Sequence, residues 1–198
     1  MGLDLEYING QTPIDEEEKE GLLITTISTK KELDEFEQQN IEEAIQWLLS
    51  RKFEPEQVFS EKFIRNLHKR MFGEVWKWAG QFRSSQKNIG VDPWQIATQL
   101  RMLLDDAQLW YQDAVYEPDE LAIRFKHRLV SIHCFPNGNG RHSRLVADVI
   151  IEKLFGFDVF TWGSENLSNS SGQRDQYIRS VKAADREEFE LLMAFARS

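Results

Sequence analysis

Apolar residues recur three and four positions apart along much of the 198-residue chain, the spacing that gives a helix one buried face. Thr29-Lys-Lys-Glu32 has capping-box spacing, and Leu33, Phe36, Ile41, Ala44, Trp47 and Leu48 extend it into a helix over 30–50. Phe63, Ile64, Leu67, Met71 and Phe72 predict a second helix after Ser60, ended by Gly73. Asp92-Pro93 opens a third with Ile96, Leu100, Leu103, Leu104 and Trp110. Pro118 opens a fourth, in which Leu121, Ala122, Phe125, Leu129 and Ile132 run directly into His133. A further helix over about 141–155 turns Leu145, Val149 and Leu154 inward and meets Gly156 as its cap. Two last helical pieces fall at Tyr177 to Val181 and Asp185 to Phe195, the latter behind a box-like Asp185-Arg-Glu-Glu188.

This periodicity predicts an all-α fold, a helical bundle interrupted in two places. Residues 76–91 mix glycines, aromatics and partial alternation, which suits a small β-hairpin flap. Residues 1–27, with Gly10, Pro13 and the acidic run Asp15-Glu-Glu-Glu18, have no lasting period and are expected to form an N-terminal arm with solvated charges, leaving 28–198 as the catalytic domain. No internal repeat or low-complexity tract interrupts the chain.

Composition narrows the function. Apolar residues make up 41% of the chain, with six Trp and thirteen Phe, a balance that belongs to a globular protein with an aromatic-rich core. A net charge of −9 argues against sequence-independent binding of nucleic acid, which draws on many Lys and Arg contacts. No apolar run approaches the roughly 18 residues of a membrane span. The acidic start lacks the basic and apolar regions of a signal peptide, and the single Cys134 cannot form an intrachain disulfide, so a cytoplasmic location is expected.

The chemistry concentrates in Ile132-His-Cys-Phe-Pro-Asn-Gly-Asn-Gly-Arg-His-Ser-Arg144. Gly138 and Gly140 allow a ligand close to the backbone, and a loop entering a helix presents unpaired N–H groups at the positive dipole end. Arg141 and Arg144, three residues apart, offer forked donors to a polyphosphate. A neutral His133 beside them is suited to taking a proton from an incoming hydroxyl. Each element alone is also what an ordinary turn looks like; together they point to phosphoryl or nucleotidyl transfer.

That stretch resembles the signature of the Fic family: His-Pro-Phe, two residues, Gly-Asn-Gly-Arg, two residues, Arg. The resemblance extends to Ala79-Gly-Gln-Phe-Arg83 with Asn88-Ile-Gly90, to Thr29–Trp47 and to Tyr177–Phe195. Ile24-Thr-Thr-Ile-Ser-Thr and Pro136-Asn-Gly-Asn-Gly-Arg-His142 are most similar to a bacterial branch called mobile mystery protein B. The resemblance implies a protein adenylyltransferase that uses ATP with Mg²⁺ (or Mn²⁺) and modifies a Ser, Thr or Tyr hydroxyl of a target protein. By the same resemblance His133 is the base, Gly138, Asn139 and Gly140 surround the α- and β-phosphates, and Arg141 and Arg144 neutralise charge toward the β- and γ-phosphates. Phe135 anchors the loop, and Asn88, Ile89, Gly90 and Val91 form the flap that holds the target by main-chain pairing.

Two positions depart from the pattern. Asn137 stands where most active members carry an acidic Mg²⁺ ligand, which implies weaker metal binding or a different reaction. Cys134 replaces the usual Pro; packing and nucleophilic roles both fit a cysteine there, and packing is the commoner. Many relatives are inhibited by a glutamate that pairs with the second arginine. Glu32, spaced correctly from Ser28 but followed by Leu33, and Glu37 are the two candidates here; failing both, a regulatory partner protein would act. Trp76, Trp78 and Trp94 admit either core packing or a ligand groove. The other histidines, His68, His127 and His142, have no metal-ligand spacing. Transfer of another phosphate-containing group, removal of AMP, and a silent nucleotide-binding module are the competing functions.

Overall fold

A computed structural model describes residues 14–163 and 170–198. Its described elements are helical: α1 (Glu16–Lys19), α2 (Lys30–Leu49), α3 (Pro55–Val58), α4 (Glu61–Phe72), α5 (Ile96–Gln112), α6 (Pro118–Ile132), α7 (Asn139–Val149), α8 (Ser170–Ala184) and α9 (Glu190–Ala196). The start signals act as their chemistry dictates. Thr29 accepts from Glu32 N and the Glu32 carboxylate returns to the Thr29 amide, closing the capping box of α2. Ser60 caps α4, and Pro118 occupies the first turn of α6, where its missing N–H costs nothing.

Helix α2 packs on α4, α5 on α6, α6 on α7, and α8 on α9. Ile64, Leu67 and Met71 of α4, Leu100 and Leu103 of α5, Phe125 of α6 and Val146 of α7 are fully buried. Burying each such side chain is worth roughly 1.5–3 kcal/mol, so the motif between α6 and α7 sits on the most strongly held part of the chain. The end of α7 widens into a π-helical turn at Ile150–Leu154, and Gly156, with φ 73°, closes it.

Three details differ from the sequence reading. Pro93 begins a 3-10 turn, Pro93–Gln95, and α5 proper starts at Ile96. Residues 185–187 form a turn and 188–189 are irregular, so α9 begins only at Glu190. The flap segment has no strand pair of its own: among the described residues the one isolated bridge joins Leu22 to Trp76. Side chains take up the flap carbonyls that a ladder would use, as described below.

The acidic run of the arm is not simply solvated. Lys87, buried in the flap segment, bonds Asp15 at 2.8 Å and Glu18 at 2.5 Å, and Ser85 donates to Glu18 at 3.1 Å. The hydrogen bond from Lys87 is the main cause that holds the Asp15 carboxyl below its ordinary range. Trp78 Nε1 donates to the Glu18 carbonyl at 3.0 Å, and the Gly21 carbonyl accepts from Lys77 N at 2.8 Å. The arm is therefore stapled to the flap. Lys87→Met should speed cleavage at Glu16–Glu18 by a glutamate-specific protease by about an order of magnitude, while cleavage within α4 and α7 keeps its wild-type rate; time-resolved peptide mapping measures both.

Candidate active site

His133 ends α6 in a left-handed conformation, φ 57° and ψ 61°. A non-glycine residue there costs on the order of 1–2 kcal/mol, and the strain turns the chain out of the helix and into the loop. Gly138 makes the second left-handed turn, φ 77°, and becomes the N-cap of α7. A Cβ at Gly138 would lie 2.6 Å from the Phe72 ring, so the turn needs glycine for space as well as for φ. Above Gly140 nothing lies within 4 Å of a notional Cβ. Helix geometry leaves the first amides of α7 without intrahelical partners.

The loop is held from beneath by side chains. Asn139 bonds Phe135 twice, its Nδ2 donating to the carbonyl at 2.7 Å and its Oδ1 accepting from the amide at 3.0 Å. Its side chain therefore braces the loop, and only its backbone remains for a ligand. His68 accepts from Gly80 N through Nδ1 at 3.0 Å, so its Nε2 carries the proton that goes to the Asn137 carbonyl at 3.0 Å. The His68 ring stacks on Phe135 with centroids 3.7 Å apart. Burial, and then the neighbouring His142, hold His68 neutral well below the ordinary histidine range. His142, bonded to the Ile64 carbonyl at 3.0 Å, is pushed down to about 3 by burial against that hydrogen bond.

His133 is 4% exposed, and burial first, then the Arg83 guanidinium, push it down to about 4; a hydrogen bond to the backbone of Val130 opposes them. The imidazole is neutral across the physiological range, as a base must be. Cys134 points the other way. It is fully buried and burial pushes its thiol up to about 12, although Arg83 opposes the shift, which leaves the packing role and removes the thiolate a nucleophile needs.

The two arginines diverge instead of sharing one side. Arg141 pairs with the Glu37 carboxylate at 2.7 Å and lies 4.9 Å from the Phe72 ring centroid. Glu37, 3% exposed, also accepts from Trp76 Nε1 at 2.6 Å. Arg144 lies 5.7 Å from the Tyr177 ring of α8. Of the two glutamates singled out in the sequence, Glu37 thus reaches the loop, through the first arginine, whereas Glu32 is spent on the cap of α2. Trp76 and Trp78 stack at 5.0 Å beside Glu37, while Trp94 is 76% exposed.

The flap meets His133 directly. A Cβ at Gly90 would fall 2.5 Å from His133 Cβ, and Val91 N donates to the Ile132 carbonyl at 3.3 Å. Asn88 and Ile89 are exposed beyond it and Val91 is half-buried. The metal expectation fares differently. The Asn137 side-chain oxygen accepts from Gly138 N at 2.6 Å, brings no negative charge, and has no group of three His, Cys, Asp or Glu around it among the described residues. These side chains do not by themselves fit a dedicated divalent site.

Sequence reasoning passed over several residues. Arg83 and Lys87 lie inside the flap stretch that was singled out, and their charges amid glycines and aromatics were the available signal. Lys126 Nζ bonds Tyr177 OH at 2.8 Å, and burial draws the lysine down while Tyr177 opposes. Asp148, one turn beyond Arg144, accepts from Trp162 Nε1 at 3.0 Å and Phe160 N at 3.2 Å, and burial pushes it up to about 7. Neither residue carries a pattern visible in one dimension.

Residues 58–151 match the model of the Fic/DOC family. Among curated proteins, a Fido domain-containing protein of Dictyostelium discoideum is 35% identical over 69 residues, 35% of this chain and 43% of that one. A protein adenylyltransferase Fic of Aedes aegypti is 32% identical over 94 residues, 46% of this chain and 19% of its own. The chain thus spans less than half the length of these curated relatives. Among solved structures, Fic-1 of C. elegans superposes with a TM-score of 0.65 at 24% identity, covering 80% of this chain and 46% of the other. BepC of Bartonella tribocorum, solved with bound AMPPNP, gives a TM-score of 0.67 at 15% identity over 92% and 97% of the two chains. No helix among the described residues is long and apolar enough to cross a membrane.

Buried neutral histidines set a pH signature. His133 and His142 titrate lower in the folded chain than their ordinary value of 6.5, so the unfolded state binds more protons between 6.5 and the folded values. Their contribution is present above pH 6.5 and is lost as pH falls toward 4. Asp148, raised from 3.8 to about 7, works in the opposite sense, its contribution present below pH 3.8 and lost as pH rises through 7. Each tenfold change in proton affinity on folding is worth about 1.4 kcal/mol, so two histidines outweigh one aspartate. The urea midpoint should fall between pH 6.5 and 4, with a shallower fall in His142→Asn, which keeps a donor for the Ile64 carbonyl; circular dichroism across that range measures it.

Proposed function

We propose that the protein transfers AMP from ATP to a Ser, Thr or Tyr hydroxyl of a target protein. The single observation that carries this reading is the glycine turn that opens α7, with Gly138 left-handed and open space over Gly140, following a neutral His133 at the end of α6. The family match and the similarity to an adenylyltransferase of Aedes aegypti support it.

In this reading the hydroxyl gives its proton to the His133 imidazole as its oxygen attacks the α-phosphorus. The bond from that phosphorus to the oxygen bridging to the β-phosphate breaks, and pyrophosphate leaves with the electron pair. Gly138 supplies the turn, and the amides of Asn139 and Gly140 stabilise charge developing on the non-bridging oxygens, as N–H groups at a helix N-terminus do. Arg141 and Arg144 hold the departing phosphates from two sides. Exposed Asn88, Ile89 and Gly90 present the flap backbone to an extended segment of the target, with Val91 tying the flap to the motif, and this brings the target hydroxyl to His133.

Glu37 restrains this site in the nucleotide-free chain, because its carboxylate neutralises the arginine that the phosphates need. One observation favours a second reading, transfer of another phosphate-containing group or removal of AMP: Asn137 supplies a neutral, already bonded oxygen where an acidic ligand would sit.

Incubation with α-³²P-ATP and Mg²⁺ or Mn²⁺ should label the protein itself or proteins of a bacterial lysate, and His133→Ala should reduce that label by about 10²–10⁴-fold, the usual contribution of a general base. Label independent of His133 would remove the mechanism; label from CDP-choline or another NTP in place of ATP would establish the second reading. Glu37→Gln retains an acceptor for Trp76 and loses the charge, so ATP should bind several-fold more tightly by calorimetry. Weaker binding in that variant would make Glu37 a support of the site and not a restraint.

A further inference from the structure

The guanidinium of Arg83 joins three segments that chemistry at His133 requires to be together. Its Nε donates to the His133 carbonyl at 2.6 Å, one terminal nitrogen to the Ser85 carbonyl at 2.9 Å, and the other to the Val91 carbonyl. The Arg83 backbone amide adds a bond to the Cys134 carbonyl at 3.0 Å. The side chain is 3% exposed, so these carbonyls replace the water that a guanidinium otherwise holds.

Each of the three carbonyls has a reason to need this donor. The left-handed turn at His133 swings its carbonyl out of the α6 ladder and toward the flap. The flap segment has no strand partner of its own among the described residues, so Ser85 and Val91 receive from Arg83 what a hairpin ladder would otherwise give. Gly90 lies against His133 so closely that a Cβ there would approach the terminal nitrogen of Arg83 to 2.8 Å. A lysine could satisfy one of these acceptors; only the planar fork reaches all three.

We propose that Arg83 is a positioning residue for the transfer reaction: by binding the His133 carbonyl and both ends of the flap, it sets the distance between the base and the target-holding backbone. The inference rests on the reading of His133 as base and of 88–91 as the target-holding flap. The bonds of the Arg83 guanidinium all go to backbone carbonyls of the motif and the flap. Its loss should therefore spare nucleotide binding and damage acceptor placement.

The test compares Arg83→Met and Arg83→Lys with the wild type, after confirming that both melt cooperatively. Hydrogen exchange at the Val91 amide, which bonds the Ile132 carbonyl, should accelerate at least tenfold in Arg83→Met and less in Arg83→Lys, with amides inside α5 and α7 unchanged. The charged groups facing His133 are Arg83 and Lys87 from the flap side, with the Val130 backbone on α6. Its imidazole resonance should therefore titrate higher in Arg83→Met, while that of His142 stays in place. ATP affinity should remain within twofold of wild type as AMP transfer falls at least tenfold. Unchanged Val91 exchange, or an unmoved His133 titration, overturns the assignment. If the wild type transfers no AMP, the proposed function falls, and the exchange and titration still decide the role of Arg83.

Discussion

Between Ile132 and Asn139 the backbone abandons helical geometry inside a packed interior, and its polar groups must find partners that no helix supplies. Everything around the loop answers that demand. Arg83 takes the His133 carbonyl, His68 the Asn137 carbonyl, and Asn139 both polar groups of Phe135. Because these donors come from the stretch after α4, from α4 itself and from α7, the loop locks three regions of the fold to one another. The first amides of α7 are the ones that helix geometry leaves over.

Burial sorts the titratable groups of the motif into roles. The same desolvation that keeps His133 neutral also keeps the neighbouring Cys134 protonated, so adjacent residues become an uncharged imidazole and an inert thiol. His68 and His142 differ from His133 in what they touch: both are bonded to backbone carbonyls that hold α4 against the loop. An acidic surface need not repel a polyphosphate where half-buried arginines and helix amides set the local potential, which falls off steeply with distance in salt water.

The helices were legible in one dimension because their signals are local. Thr29 to Glu32, Ser60 and Pro118 each act within a single turn, and the structure places α2, α4 and α6 where these residues start them. The motif residues were legible for the same reason, being contiguous. What stayed hidden depends on residues far apart in sequence. Lys87 with Asp15 and Glu18, Arg83 with His133, and Lys126 with Tyr177 are pairs that no periodicity announces. The place of Asn139 in the signature assigns it to the ligand, yet its side chain serves the loop because an inward-turned amide can satisfy both groups of one peptide unit.

The supports of the loop lie earlier in the chain than the residues they hold: His68 precedes Asn137 by 69 positions, and Arg83 precedes His133 by 50. During synthesis α2, α4 and the flap therefore leave the ribosome before the motif is made. When the loop emerges, its partners are already outside, and the entropy of closing so long a connection, which grows only slowly with length, has a formed surface to close upon. The order of the chain thus favours assembling the loop onto a scaffold that already exists.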